Sequence, residues 1–92
     1  MKIDELYEII LERKTNPLEG SYTNYLLDKG EDKILKKVGE EAMEVLLAAK
    51  GEGDQRLIEE VSDLTYHLLV LLALRGISPK DISGELEKRH RK

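Results

Sequence analysis

Apolar residues recur at helical spacing over most of the chain, and interruptions of that rhythm divide it into five elements. Ile3, Leu6, Tyr7, Ile10 and Leu11 mark a first helix from Ile3 to Lys14, with Asp4 and Glu5 where the N-terminal dipole favours acids. Thr15-Asn16-Pro17 ends it, because the residue before a proline is pushed out of the helical region. After a loop through Gly20, Ser21-Tyr22-Thr23 opens a short helix that runs to Gly30, with Ser21 or Thr23 as its N-cap. The third element runs from Glu31 to Lys50. At about 100° per residue, its Ile34, Val38, Ala42, Val45, Leu46 and Ala49 fall within about 120° of arc.

Gly51-Glu52-Gly53-Asp54 breaks the pattern, with Asp54 the expected N-cap of a fourth helix from Gln55 to Arg75. That helix begins amphipathic, on Leu57, Ile58, Val61, Leu64 and Leu68. From Leu68 to Leu74 it is apolar on all sides, which predicts burial on all sides and so a contribution from a second subunit. Gly76 stops it, and Ser78-Pro79 caps and starts a fifth helix carrying Ile82 and Leu86. The pattern predicts an all-α fold: a bundle of four to five helices in one domain, 1–92, completed by oligomerisation.

Composition agrees with helix packing. Aromatic residues are 4% of the chain, with neither Phe nor Trp, so the core must be aliphatic. Ninety-two residues bury a modest core, which makes a homo-oligomer, by default a dimer, the expected state. A net charge of −4 argues against nucleic acid as partner. The longest apolar run is far short of the about 20 residues that cross a bilayer, so no membrane partner is expected. Met1 to Arg13 is charged and amphipathic rather than a secretory leader, so the expected location is cytoplasmic. The absence of cysteine excludes disulfides and thiolate metal sites. Positive charge gathers at Lys33, Lys36 and Lys37, and again at Arg89, Arg91 and Lys92.

The candidate chemistry lies in Glu40-Glu41-Ala42-Met43-Glu44 and Glu59-Glu60-Val61-Ser62-Asp63. Glu41 with Glu44, and Glu60 with Asp63, are pairs three residues apart, so each rises from one helix face about a turn apart. Like charges so placed repel unless a cation intervenes. Glu41 lies about 20° from Ile34 on the wheel and Glu60 about 40° from Leu64, at the margins of the two buried stripes rather than opposite them. A Gly-rich turn lets the two helices pack antiparallel and the margins face each other. Oxygen ligands without sulfur select a hard ion, Mg²⁺ or in its place Mn²⁺, which leaves positions open for water and phosphate. Taken singly, each acidic pair describes an ordinary solvated helix surface better than a metal site; it is the two together, both at the core margin, that point to one.

E-x-x-E on one helix followed by E-x-x-D on the next resembles the all-α nucleoside-triphosphate pyrophosphohydrolases, the MazG-like and dimeric dUTPase group. Within it the chain is similar to the phosphoribosyl-ATP pyrophosphohydrolase family of histidine biosynthesis. The resemblance rests on Ser21-Tyr22-Thr23, on Lys36 through Val45, on Glu60 through Leu72, and on Glu85-Leu86-Glu87-Lys88-Arg89-His90. It implies cleavage of phosphoribosyl-ATP to phosphoribosyl-AMP and pyrophosphate, with Mg²⁺ held by Glu41, Glu44, Glu60 and Asp63. It also implies a catalytic role for Glu40 or Glu41 toward the attacking water. Lys37, helped by Lys33 or Lys36, would meet the triphosphate; Ser21, Tyr22 and Thr23 would line the substrate pocket, and Arg89 and His90 would reach substrate from a neighbouring subunit. Ser62 and Thr65 stand where the family often carries small or apolar residues. The cyclohydrolase often fused to this family is not expected here.

Each of these residues has a plainer reading. Lys37 four residues before Glu41 is also a surface ion pair, and His67 four residues after Asp63 is either a group orienting that acid or a hydrogen-bonded residue at the core edge. Tyr66 reads as interface packing. Two rivals remain at this level: a house-cleaning hydrolase of non-standard nucleoside triphosphates using the same site, and a non-catalytic helical dimerisation module.

Overall fold

The computed structural model describes residues 1–90; Arg91 and Lys92, two of the basic C-terminal residues, lie outside them. Among the described residues the helices are α1 (Ile3–Thr15), α2 (Tyr22–Lys29), α3 (Glu31–Gly51), α4 (Asp54–Arg75) and α5 (Pro79–His90), with no strand. The all-α prediction holds, with boundaries shifted by a residue or two.

The long antiparallel pair α3 and α4 forms the frame, α1 and α2 pack across it, and α5 lies against α1. Ile34, Leu26, Ile10, Val70 and Ala73 are fully buried where these helices converge, with Tyr7 and Leu69 beside them. On α3 the inward line is Ile34, Val38, Glu41, Val45 and Ala48, one residue every three or four. The expected stripe is therefore corrected at one edge: Leu46 and Ala49 are exposed and Ala48 is buried. On α4 the corresponding line is Leu57, Glu60, Leu64, His67 and Val70. Both inward lines thus carry a carboxylate among their apolar residues.

Ile58, Val61 and Leu68 do not face inward as expected; they are exposed on the outer side of α4. The run from Leu68 to Leu74 is mostly enclosed within the chain itself, Leu69, Val70 and Ala73 fully and Leu71, Leu72 and Leu74 in part.

The connections are set by a few specific bonds. Ser21, not Thr23, caps α2, its hydroxyl accepting from the Asn24 N–H at 3.2 Å. Gly53, at φ +89°, precedes α4, so Asp54 is the first helical residue and gives its charge to the dipole rather than a cap to the backbone. Gly76 closes α4 in the left-handed region, φ +71°, and the Ile77 N–H returns to the Leu72 carbonyl at 2.9 Å. The Tyr7 hydroxyl donates to the Ile77 carbonyl at 2.5 Å, and Lys14 Nζ to the Ala73 carbonyl at 2.9 Å, fastening α1 to the end of α4. Ser78 caps α5 as expected, exchanging bonds with Asp81.

Candidate active site: an acidic basin on the α3–α4 seam

Lys37, Glu40, Glu41 and Glu44 from α3 and Glu60 and Asp63 from α4 line one open depression of about 430 Å³. Within it, one carboxylate oxygen each from Glu41, Glu60 and Asp63 lies within 4.8 Å of the other two. Octahedral Mg²⁺ with oxygens at about 2.1 Å would set neighbouring ligands about 3 Å and opposite ligands about 4 Å apart. A small side-chain closure therefore brings the triplet to ligand spacing, and its all-oxygen chemistry suits that ion. Glu44 lines the basin without joining the triplet. Glu40, also in the lining, is half-exposed.

The three acids differ in surroundings. Glu60 is buried, with 7% of its side chain exposed, and Arg56 meets its Oε1 at 2.6 Å. Glu41 is largely covered and Asp63 is open to solvent. Lys37 Nζ stands 3.5 Å from both Glu40 and Glu41, so the ion pair read from spacing is present. Burial opposes its charge, yet Tyr22, Glu41 and Glu40 outweigh burial and raise its pKa above the usual lysine value. It is a fixed cation on the rim of an anionic basin.

The Ser21-Tyr22-Thr23 segment is tied to α4 at Tyr66 and His67, about a turn beyond Asp63, and does not itself line the basin. Tyr22 Oη lies 2.9 Å from His67 Nε2, and the Thr23 hydroxyl bonds that of Tyr66. His67 Nδ1 faces the Asp63 backbone carbonyl at 2.7 Å, so His67 touches that residue's main chain rather than its carboxylate. Burial pushes the Tyr66 phenol above its usual pKa, with the Thr23 bond acting the other way and Tyr22 adding to the rise. Tyr22 stacks at 6.0 Å on Tyr25 and 6.1 Å on Tyr66, so three of the four tyrosines gather where α2 meets α4.

The remaining candidates lie apart from the basin lining. Lys33 Nζ sits over the Tyr25 ring at 5.9 Å, Lys36 is exposed, and Arg89 pairs with Glu85 at 3.0 Å near exposed His90 on α5. Two contributors escaped the sequence reading. Arg56 stands at ion-pair spacing from Glu60, but equally from Glu52 and Glu59. Asn24 had no local signal: it is buried, its Oδ1 accepts from the Leu18 N–H and its Nδ2 donates to the Arg13 carbonyl, holding the α1–α2 loop.

The antiparallel α3–α4 hairpin thus sets two acidic pairs into one basin with a lysine on its rim, the arrangement on which the resemblance to the all-α nucleoside-triphosphate pyrophosphohydrolases rests. A model of the phosphoribosyl-ATP pyrophosphohydrolase family matches residues 3–90, and the chain belongs to that family. It is 64% identical over 90 residues to a phosphoribosyl-ATP pyrophosphatase of Listeria monocytogenes, covering 98% of this chain and 86% of that one. A phosphoribosyl-ATP pyrophosphatase of Pelotomaculum thermopropionicum is 57% identical over 90 residues, covering 98% and 92%. The histidine biosynthesis bifunctional protein HisIE of Caldanaerobacter subterraneus is 58% identical over 90 residues, and there this chain spans 44% of the relative's length.

Proposed function

We propose that the protein hydrolyses phosphoribosyl-ATP to phosphoribosyl-AMP and pyrophosphate, a step of histidine biosynthesis, with Mg²⁺ in the acidic basin. The observation that carries the reading is the convergence of Glu41, Glu60 and Asp63 oxygens within 4.8 Å in a member of this family. Relatives that this chain covers over most of their length bear the name of that activity, which supports the choice of substrate.

Glu41, Glu60 and Asp63 would hold the ion, with Glu44, one turn on along α3, in the same basin lining. When bound, Mg²⁺ neutralises phosphate charge and acidifies water. Glu40, in the lining but outside the triplet, takes the proton from the attacking water as the new P–O bond forms and the α–β anhydride bond breaks. Lys37 stays protonated and meets the triphosphate, aided by Lys33 or Lys36. The Ser21-Tyr22-Thr23 segment walls the substrate pocket. Mn²⁺ substitutes for Mg²⁺.

A homodimer fits the outer face of the hairpin, where Met43, Leu46, Leu47, Ile58, Val61 and Leu68 are 40–63% exposed. Arg89 and His90 then reach substrate from the partner subunit. No described helix is long and apolar enough to cross a membrane, and a phosphorylated nucleotide substrate supports a cytoplasmic place of work.

The test is pyrophosphate release from phosphoribosyl-ATP beside a panel of standard and non-standard nucleoside triphosphates, with and without Mg²⁺. Mg²⁺-dependent turnover confined to phosphoribosyl-ATP is expected. Preference for another triphosphate would replace the substrate, and turnover unaffected by chelation would remove the metal.

A further inference from the structure

We propose that Arg56 is a displaceable counter-charge of the cation site: its guanidinium neutralises buried Glu60 when no cation is bound and yields when one enters. Arg56 would then stabilise the cation-free protein while weakening its affinity for the ion. The inference rests on the reading of the basin as a divalent-cation site.

Glu60 is the most buried of the basin's acids, and a carboxylate so placed strongly requires a compensating charge. Arg56 supplies it at 2.6 Å, one turn earlier on α4. The same carboxylate belongs to the Glu41–Glu60–Asp63 triplet. A guanidinium and a divalent ion on one carboxylate repel each other, and burial of that carboxylate weakens the screening that would hide the repulsion.

The geometry favours displacement over rigid orientation. Almost half of the Arg56 side chain is exposed, and it is shared among acids of its own helix and the preceding turn. Nη1 lies 2.5 Å from Glu59 Oε1 and Nε 3.7 Å from Glu52 Oε1. Both of those acids lie on the solvent side, so Arg56 can release Glu60 and keep two partners. A group that binds mainly the cation-free form must weaken cation binding by as much as it stabilises that form.

The experiment uses Mn²⁺ alone, without substrate. Free Mn²⁺ is followed by electron paramagnetic resonance during titration of wild type, Arg56→Gln and Arg56→Lys, and thermal unfolding is recorded with and without the ion. Arg56→Gln is expected to bind Mn²⁺ about fivefold more tightly than wild type. It is also expected to unfold at a lower temperature without the ion, by a gap that narrows at saturating Mn²⁺. Arg56→Lys keeps the charge without the forked geometry, lies between the two, and gives the same sign should Arg56→Gln fail to fold.

Equal or weaker Mn²⁺ binding by the variants, with wild type binding normally, overturns the counter-charge role and leaves the cation site standing. Failure of every protein to bind Mn²⁺ overturns the site and this role together.

Discussion

Tyr22 Oη and His67 Nε2 lie 2.9 Å apart, a hydrogen bond that joins α2 to α4. The other ring nitrogen, Nδ1, lies 2.7 Å from the Asp63 carbonyl, which can only accept, so Nδ1 donates there and both ring nitrogens have a partner. The start of α2 is thereby locked to the turn of α4 that bears Asp63.

Tyr22→Phe keeps the ring stack but leaves Nε2 of buried His67 without its partner. Such a loss costs about 1–2 kcal/mol, which in a domain of this size lowers Tm by about 4–8 °C per kcal/mol. If Tyr22 walls the substrate pocket as proposed, KM should rise more than kcat falls. Thermal unfolding and steady-state kinetics on phosphoribosyl-ATP check both.

Asp63→Asn separates catalytic from structural roles. Asp63 is exposed and stands near two other acids, so its neutralisation removes repulsion and leaves cation-free stability within about 0.5 kcal/mol of wild type or above it. Turnover should fall by more than the about 10–100-fold typical of losing a partner outside the ligand set. Denaturant unfolding with chelator and an activity assay on the same preparation give the pair of numbers. A surface-only role for this acid predicts no activity change.

Lys37 makes a pH-dependent contribution whose sign is fixed. Its pKa is raised in the folded protein from an ordinary value of 10.5, so folding takes up protons where the unfolded lysine would lose them. The stabilisation is complete below the unfolded pKa and is lost as pH climbs through the folded one. The difference in unfolding free energy between wild type and Lys37→Met should be flat over roughly pH 6 to 9 and shrink only above about 10.5.

Gly76→Ala tests the end of α4. A Cβ there meets nothing within 4 Å, so the penalty is the left-handed backbone alone, about 1 kcal/mol. Tm should drop by about 4–8 °C while kcat at saturating Mg²⁺ and substrate stays unchanged.

The helices were legible because their punctuation is strong: Pro17, Gly30, the Gly51–Gly53 turn and Gly76 with Ser78-Pro79 each stop or start an element for a local steric reason. The acids were legible as residues at the edge of apolar stripes, and the structure moves Glu60 further inward, between Leu57 and Leu64 on the buried line. Leu46 and Ala49 were misplaced because a wheel fixes the width of an apolar arc but not which part a neighbouring helix covers. The Tyr22–His67 and Thr23–Tyr66 bonds were hidden because they join α2 to α4 across more than 40 residues, and periodicity is silent on which faces cross. Arg56 has acids at Glu52, Glu59 and Glu60 within reach, and spacing alone does not single out the buried one.

The most direct measurement is an anomalous-difference map from crystals of the protein grown with Mn²⁺. Three acids contributed by α3 and α4 should enclose a single peak, with Glu41, Glu60 and Asp63 oxygens drawn to ligand distance around it. A map with no density between them, or with the ion elsewhere and these side chains still apart, would contradict the account.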